Sequence, residues 1–360
     1  MKGKDSLQND EEEASSSMAF NKLDKSLYAP SWLAERQVAI CALCLACKLS
    51  SKLQKRLVQE SVITKSDNSP VSIADFAVQA LVIHWITRAF PNDHFIAEED
   101  STALRKDEKL LKDVTDAVNS VLSIDEQLTD SEVCDLLDLG NRHMGTNERT
   151  WLLDPIDGTK GFLRGDQYCI ALALLKDGAI RVGILGCPNL PLASVPPNSH
   201  KVGCIFHAAQ GVGAFVQEIE RGAESYPIRV SDVSDPAWAT FCESWEPGHS
   251  SHELSLEIAK ILGVNNPSVR MDSQCKYGVV ARGEASIYFR FPKEGYQENV
   301  WDHAAGSIII REAGGMVTDG FGQVLDFSKG RKLLNRGGII ATNGRLHNAV
   351  LNVVKHVLQL

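Results

Sequence analysis

The chain has no excess of positive charge: 37 Lys and Arg stand against 46 Asp and Glu, a formal net charge of −9 at pH 7. A protein that grips a nucleic-acid backbone needs a basic surface, so no nucleic-acid partner is expected. The deficit still allows a small polyanionic ligand, provided that local Lys or Arg side chains or bound cations receive it. No run of about 18 apolar residues occurs, so no membrane span is expected. The N-terminal stretch lacks the apolar core of a secretory signal, and its acids from Asp10 to Glu13 do not suit an Arg-rich transit peptide. A cytoplasmic protein is therefore expected, with an organelle or the nucleus left open. Also missing are an internal repeat, a Rossmann G-x-G-x-x-G and a P-loop G-x-x-x-x-G-K-[ST]. The nine cysteines are odd in number and scattered, which suits a reducing compartment better than a disulfide framework. Cys41, Cys44 and Cys47 form a C-x-x-C-x-x-C, but it sits in an Ala/Leu-rich helical stretch with no fourth ligand and no following Cys-Pro. Packing on one apolar helix face is the expectation there.

What is present is a chain of 360 residues with 44% hydrophobic residues, enough for two packed layers of core and two domains. Residues 1–30 are polar, Ser-rich and acidic and read as a disordered tail. Apolar residues at helical spacing predict a helix from 32 to about 58 and, after the polar connector 65–70, a second from 73 to 89. Residues 95–97 read as a short strand ending in Glu98, Glu99 and Asp100. The charged region 101–149 reads as helices around a surface loop near 141–147. Strands follow at 169–175 and 182–186, joined by a Lys176-Asp177-Gly178 turn, then near 202–206 and 213–216. A boundary near 220–227 divides an N-terminal α+β domain (31–222) from a C-terminal α/β domain (223–360). In the latter, strands at 239–243, 286–289 and 338–341 alternate with helices at 252–262, 303–313 and 346–357.

The chain is organised around Trp151-Leu152-Leu153-Asp154-Pro155-Ile156-Asp157-Gly158-Thr159-Lys160-Gly161-Phe162. A buried strand is expected to end near Leu153, because Pro155 and Gly158 bar its continuation, so that Asp154 and Asp157 converge from a tight turn. Two clustered carboxylates repel each other, and a hard divalent cation is the usual remedy. Behind them, residues 158–161 offer backbone N–H groups and a hydroxyl, suited to an oxyanion such as phosphate. The competing interpretation is an Asx turn with no chemistry. Three further acids await partners: Asp75, which could instead serve a capping box with Ser72; Glu98, which could be a mere surface acid; and Asp302, which could be a helix N-cap.

Asp154-Pro155-Ile156-Asp157-Gly158-Thr159, taken with Trp301-Asp302-His303-Ala304-Ala305-Gly306, resembles the paired signatures of the inositol monophosphatase superfamily, whose members are magnesium-dependent, lithium-sensitive phosphatases. The stretches 65–75, 159–168, 187–191 and 272–278 are similar to those of its 3'(2'),5'-bisphosphate nucleotidases, the plant members most closely. The resemblance runs from about residue 35 to the C-terminus. It implies a two-domain α+β sugar-phosphatase fold layered α/β/α/β/α. It implies that Glu98, Asp154, Asp157 and Asp302, with the Ile156 carbonyl, hold two or three Mg2+ ions. Asp75 and Thr159 would orient and deprotonate the attacking water, and Gly158 and Thr159 would hold the scissile phosphate. His249, Ser273, Lys276 and Arg290 would contact the nucleotide and its second phosphate. The implied reaction removes the 3'-phosphate of 3'-phosphoadenosine 5'-phosphate, and of its sulfated relative, in a monomeric enzyme. An inositol polyphosphate 1-phosphatase and a non-catalytic nucleotide sensor are the alternatives.

Overall fold

The computed structural model describes residues 32–60, 70–142, 148–192, 201–245, 252–292 and 295–360. Helix α1 (Leu33–Glu60) buries Val38, Leu43, Leu49 and Leu53. Cys44 and Cys47 lie in the same core and Cys41 at its edge; all nine cysteines are free thiols. The C-x-x-C-x-x-C is thus packing. Helix α2 (Pro70–Ala89) begins three residues earlier than expected. Proline is well suited to a first helical turn, where its missing N–H would have no acceptor. Asp75 therefore stands inside the helix, and the capping-box alternative falls. Of the connector expected at 65–70, Pro70 opens the helix and the rest lies outside the described residues.

Seven strands form the first sheet: β1 (His94–Ala97), β2 (Thr150–Asp157), β3 (Cys169–Lys176), β4 (Ala179–Pro191), β5 (Val202–Ala209), β6 (Gly213–Glu218) and β7 (Tyr226–Ile228), neighbours in chain order. Within this sheet, among the described residues, only β1 and β2 are parallel. Parallel neighbours need a long crossover, here supplied by α3 (Glu108–Asn119) and α4 (Asp130–Leu139). The β3–β4 hairpin turns on Asp177 and Gly178, at φ 52° and 72°, the left-handed pair that a twisted hairpin requires.

Strand β2 does not stop at Leu153 but runs through Asp157. Its ladder to β3 breaks between Asp154 and Asp157, and Pro155 sits in that break. A proline costs a sheet nothing where no ladder bond is due, which is why the expected stop did not occur.

The second sheet has the order β11-β12-β10-β8-β9, from β8 (Phe241–Ser244), β9 (Val269–Met271), β10 (Ile287–Arg290), β11 (Met316–Asp319) and β12 (Ile339–Thr342). The central strands of both sheets are covered on both faces and read as nearly unbroken apolar runs. Alternate residues of β3 show the sorting: Ile170, Leu172 and Leu174 join the core under α1 and α2. Ala171 and Ala173 face the core formed with α7 (Cys275–Ala281) and α8 (Ala304–Glu312), which also takes Cys242, Tyr288 and Ala341 of the second sheet. On the far side, Phe241, Ile287 and Ile340 pack with α6 (His252–Leu262) and α9 (His347–Leu358). Helix, sheet, helix, sheet, helix is the layering that the resemblance implied. Among the described residues no helix is long and apolar enough to cross a membrane.

Candidate active site

A cavity of about 480 Å³ opens where the end of β2 meets the segments flanking β10 and α8. Of the residues singled out from the sequence, Glu98, Asp154, Ile156, Asp157, Gly158, Thr159, Ser273, Lys276, Arg290 and Asp302 line it. Asp75 is buried close by and is not part of the lining. His249 lies outside the described residues.

The acids are arranged by three local devices. Asp154 and Asp157 flank the irregular step in β2, so both reach the cavity despite odd spacing. Glu98 follows the last residue of β1. On α2, Asp75 is followed one turn later by Gln79, whose buried carboxamide donates to the Glu99 carbonyl at 2.7 Å and accepts from the Glu99 N–H at 3.0 Å. The same helix thus carries one acid and holds the backbone of the next. Gln79 was missed in the sequence, where a glutamine among apolar residues gives no signal of its own.

Electrostatically these carboxyls are costly. Burial, then Glu98, Asp157, Asp302 and Asp75, push the Asp154 carboxyl far above its usual range. Burial, then Glu99 and Glu98, do the same to Asp75. Glu98 reaches solvent, yet it is recessed in the cleft and crowded; burial, then Glu99 and Asp157, raise it to about 7. Asp302 also rises to about 7, through burial and through Asp157, Glu298 and Glu98, although His303 opposes the shift. Asp157 is the best compensated: burial raises it, but Lys276 and the Gln274 N–H at 2.6 Å pull back. Asp154 Oδ1 is buried with no hydrogen-bond partner among the described residues. An orphaned carboxylate oxygen among like charges, in an all-oxygen setting with the Ile156 carbonyl, fits a hard divalent cation.

Gly158 takes φ 90° and opens a short helix, α5 (Thr159–Arg164), that had been expected only as a turn. A Cβ at Gly158 would press on Ser273 Cβ at 3.0 Å, so glycine is required by both angle and space. The first N–H groups of a helix have no intrahelical acceptor, and here they begin at the cavity wall. The Thr159 hydroxyl donates to the Ile156 carbonyl at 3.4 Å.

The two cations expected at a second phosphate are less free than the sequence suggested. Lys276 is buried, with Nζ donating to the Met271 carbonyl at 3.3 Å and 5.5 Å above the Tyr288 ring. Burial lowers its ammonium, and Asp157 opposes that shift. Arg290 is paired with the buried Glu298, which also meets His303 Nε2 at 3.2 Å; His303 Nδ1 meets the Tyr277 hydroxyl at 2.9 Å. Glu298, Asp302 and His303 bring ligand-type atoms within 4.8 Å of one another. Glu298 and His303 are already engaged by Arg290, Tyr277 and each other, whereas Asp302 accepts from Asn299. Gln274 joins the halves of the site: its N–H serves Asp157, its carboxamide donates to the Trp301 carbonyl at 2.9 Å, and its oxygen accepts from Gly306 N–H at 3.2 Å. Glu298 and Gln274 lie in segments without apolar period, and their roles emerge only from the packing.

The profile of the inositol monophosphatase family matches residues 33–359. A 3'(2'),5'-bisphosphate nucleotidase of Oryza sativa is 44% identical over 342 residues, covering 91% of this chain and 95% of the relative. One from Emericella nidulans is 43% identical over 348 residues, covering 91% and 99%. Among solved structures, an inositol monophosphatase from Anabaena aligns at a TM-score of 0.56 and 23% identity, over 89% of this chain and 95% of that one. A likeness at that identity speaks for the fold alone.

Proposed function

The chain belongs to the inositol monophosphatase family, and we propose that it hydrolyses the 3'-phosphate of 3'-phosphoadenosine 5'-phosphate, giving AMP and inorganic phosphate, and acts likewise on 3'-phosphoadenosine 5'-phosphosulfate. The names of its plant and fungal relatives support the substrate. The observation that carries the chemistry is the acid-lined cavity with the buried, unpartnered Asp154 Oδ1 beside a helix start.

In this reading Glu98, Asp154, Asp157 and Asp302, with the Ile156 carbonyl, would hold magnesium. When bound, magnesium supplies charge neutralisation for a dianionic phosphate and a lowered pKa for the attacking water. The chain's own residues do the rest. Gly158 and Thr159 present N–H groups to the phosphate oxygens. Asp75, behind the acids, takes the water's proton, and the Thr159 hydroxyl orients that water. The water oxygen bonds to phosphorus as the bond to the ribose 3'-oxygen breaks, and that oxygen takes a proton from solvent. Lys276 is the cation we assign to the second phosphate, and Ser273 a polar contact beside it. We read the chain as two domains meeting at this cavity, residues 31–222 and 223–360, with β7 of the second stretch still paired to β6 of the first sheet.

The test is phosphate release from 3'-phosphoadenosine 5'-phosphate, inositol 1,4-bisphosphate, inositol 1-phosphate and AMP. Turnover should be greatest with the first and should vanish with EDTA. It should be inhibited by lithium and by excess calcium, a looser-coordinating ion. Preference for an inositol phosphate would replace the nucleotide assignment, and full turnover without a metal would remove the mechanism.

A further inference from the structure

Residues 331–333 run antiparallel beside 298–300. Val300 N–H donates to the Arg331 carbonyl at 2.9 Å, Leu333 N–H donates to the Glu298 carbonyl at 2.8 Å, and Asn299 bridges Lys332 between them. This strip leads into Trp301 and Asp302. From it the half-buried Arg331 side chain passes over the Trp301 ring, 4.7 Å from guanidinium to centroid, into the other half of the protein. There Nη2 donates to the Ala97 carbonyl at 2.6 Å and Nη1 to the Gly140 carbonyl at 3.2 Å. Gly140 O also accepts the Ala97 N–H at 2.9 Å.

One guanidinium therefore touches the carbonyl immediately before Glu98 and the ring immediately before Asp302. The backbone of Glu99, next in the chain, is held by Gln79. We infer that Arg331 is a positioning residue that sets the distance between Glu98, at the end of β1, and Asp302, in the turn before α8. Neither its fork nor its stem lines the cavity, so it acts through the backbone and the indole rather than on the substrate. A planar fork can serve two carbonyls while stacked on an aromatic ring; a lysine ammonium cannot hold that geometry. The inference rests on the proposed function, since the spacing matters only if both acids serve one cation-binding site.

The experiment compares wild type, Arg331→Met, Arg331→Lys and Val350→Ala, the last a core truncation under the far face of the second sheet. Magnesium affinity is measured by calorimetry without substrate, alongside thermal melts in EDTA and phosphate release against magnesium. Arg331→Met should weaken magnesium by roughly 10-fold or more, the usual cost of losing a residue that orients metal ligands. Arg331→Lys should fall between it and wild type. KM for substrate at saturating magnesium should stay put. Val350→Ala should lower the melting temperature and leave magnesium affinity alone. If Arg331→Met melts early but binds magnesium as wild type does, the arginine is only a structural strap and the inference is wrong. A wild type that binds no magnesium would overturn the functional reading and this inference together.

Discussion

Arg290 and Glu298 face each other at the cavity wall as a two-pronged ion pair, Nε to Oε1 at 2.7 Å and Nη2 to Oε2 at 3.2 Å, with the carboxylate shut off from solvent. Burial alone would raise the Glu298 carboxyl, but His303 and Arg290 outweigh it and hold it near 2. The guanidinium charge is thus answered within the protein before any ligand arrives. Arg290→Met should then be first a stability lesion, costing ~3–5 kcal/mol because it leaves a buried carboxylate short of its partner. The double variant Arg290→Met/Glu298→Met should recover much of that loss. Urea titrations of the single and double variants decide it; a loss below ~1 kcal/mol, typical of an exposed pair, would show that the pair is not structural.

The pairing also shows where sequence reading stops. The layering was legible, because strands buried on both faces are apolar throughout and helices carry their own period. Asp154, Asp157 and Asp302 were singled out because their motifs resemble the paired signatures of the inositol monophosphatase superfamily. Glu298 was not: it lies in a loop, and its carboxylate acquires a role only when Arg290, 8 residues earlier, folds back on it. Gln79 and Arg331 likewise act on backbone groups, and backbone acceptors leave no trace in side-chain patterns. The α5 helix was hidden because Gly158 and Gly161 look like a loop, whereas Gly161 is needed so that the helix can lie against the Gln167 carbonyl.

Asp302 gives a prediction about pH. Its carboxyl rises from 3.8 to about 7 in the fold, so the folded state binds the proton more tightly than the unfolded chain does. Its stabilising contribution is complete below about pH 4 and is lost as the pH climbs toward about 7. In EDTA, Asp302→Asn and wild type should melt most alike in acid, and the variant should gain on wild type as pH rises. Excess magnesium should reverse the order, since a cation favours the ionised carboxylate. A difference that stays constant across this range would mean that Asp302 does not titrate as its surroundings imply.

Lys276 divides two roles by kinetics. If its ammonium meets the second phosphate, Lys276→Met should mainly raise KM for the bisphosphate, by the equivalent of ~1.5–3 kcal/mol for a charge-assisted hydrogen bond. Its position beside Asp157 offers another outcome. If it acts by keeping Asp157 ionised, the variant should need more magnesium, and KM at saturating magnesium should barely move. Steady-state kinetics at several magnesium concentrations separate the two, and an unchanged KM would remove Lys276 from the substrate contacts.

Asp75 is the residue on which the mechanism depends most. Its place inside α2 removes the helix-cap role, and its burial near Glu99 and Glu98 makes its charge expensive. Asp75→Asn should therefore leave the melting temperature in EDTA unchanged or higher. A buried acid retained at such a cost is worth testing as a base. Asparagine keeps the shape and an acceptor but cannot take a proton, so the rate should fall roughly 10²–10⁴-fold. Asp154→Asn, which removes a direct cation contact in this reading, should instead lose magnesium affinity, and added magnesium should partly restore its rate. Asp75→Asn should show little such rescue, because the missing function is proton acceptance rather than charge. The decisive data are kcat against magnesium for both variants with melts alongside. Full rescue of Asp75→Asn by magnesium would make Asp75 a member of the cation site and leave the water's proton without an acceptor on this chain.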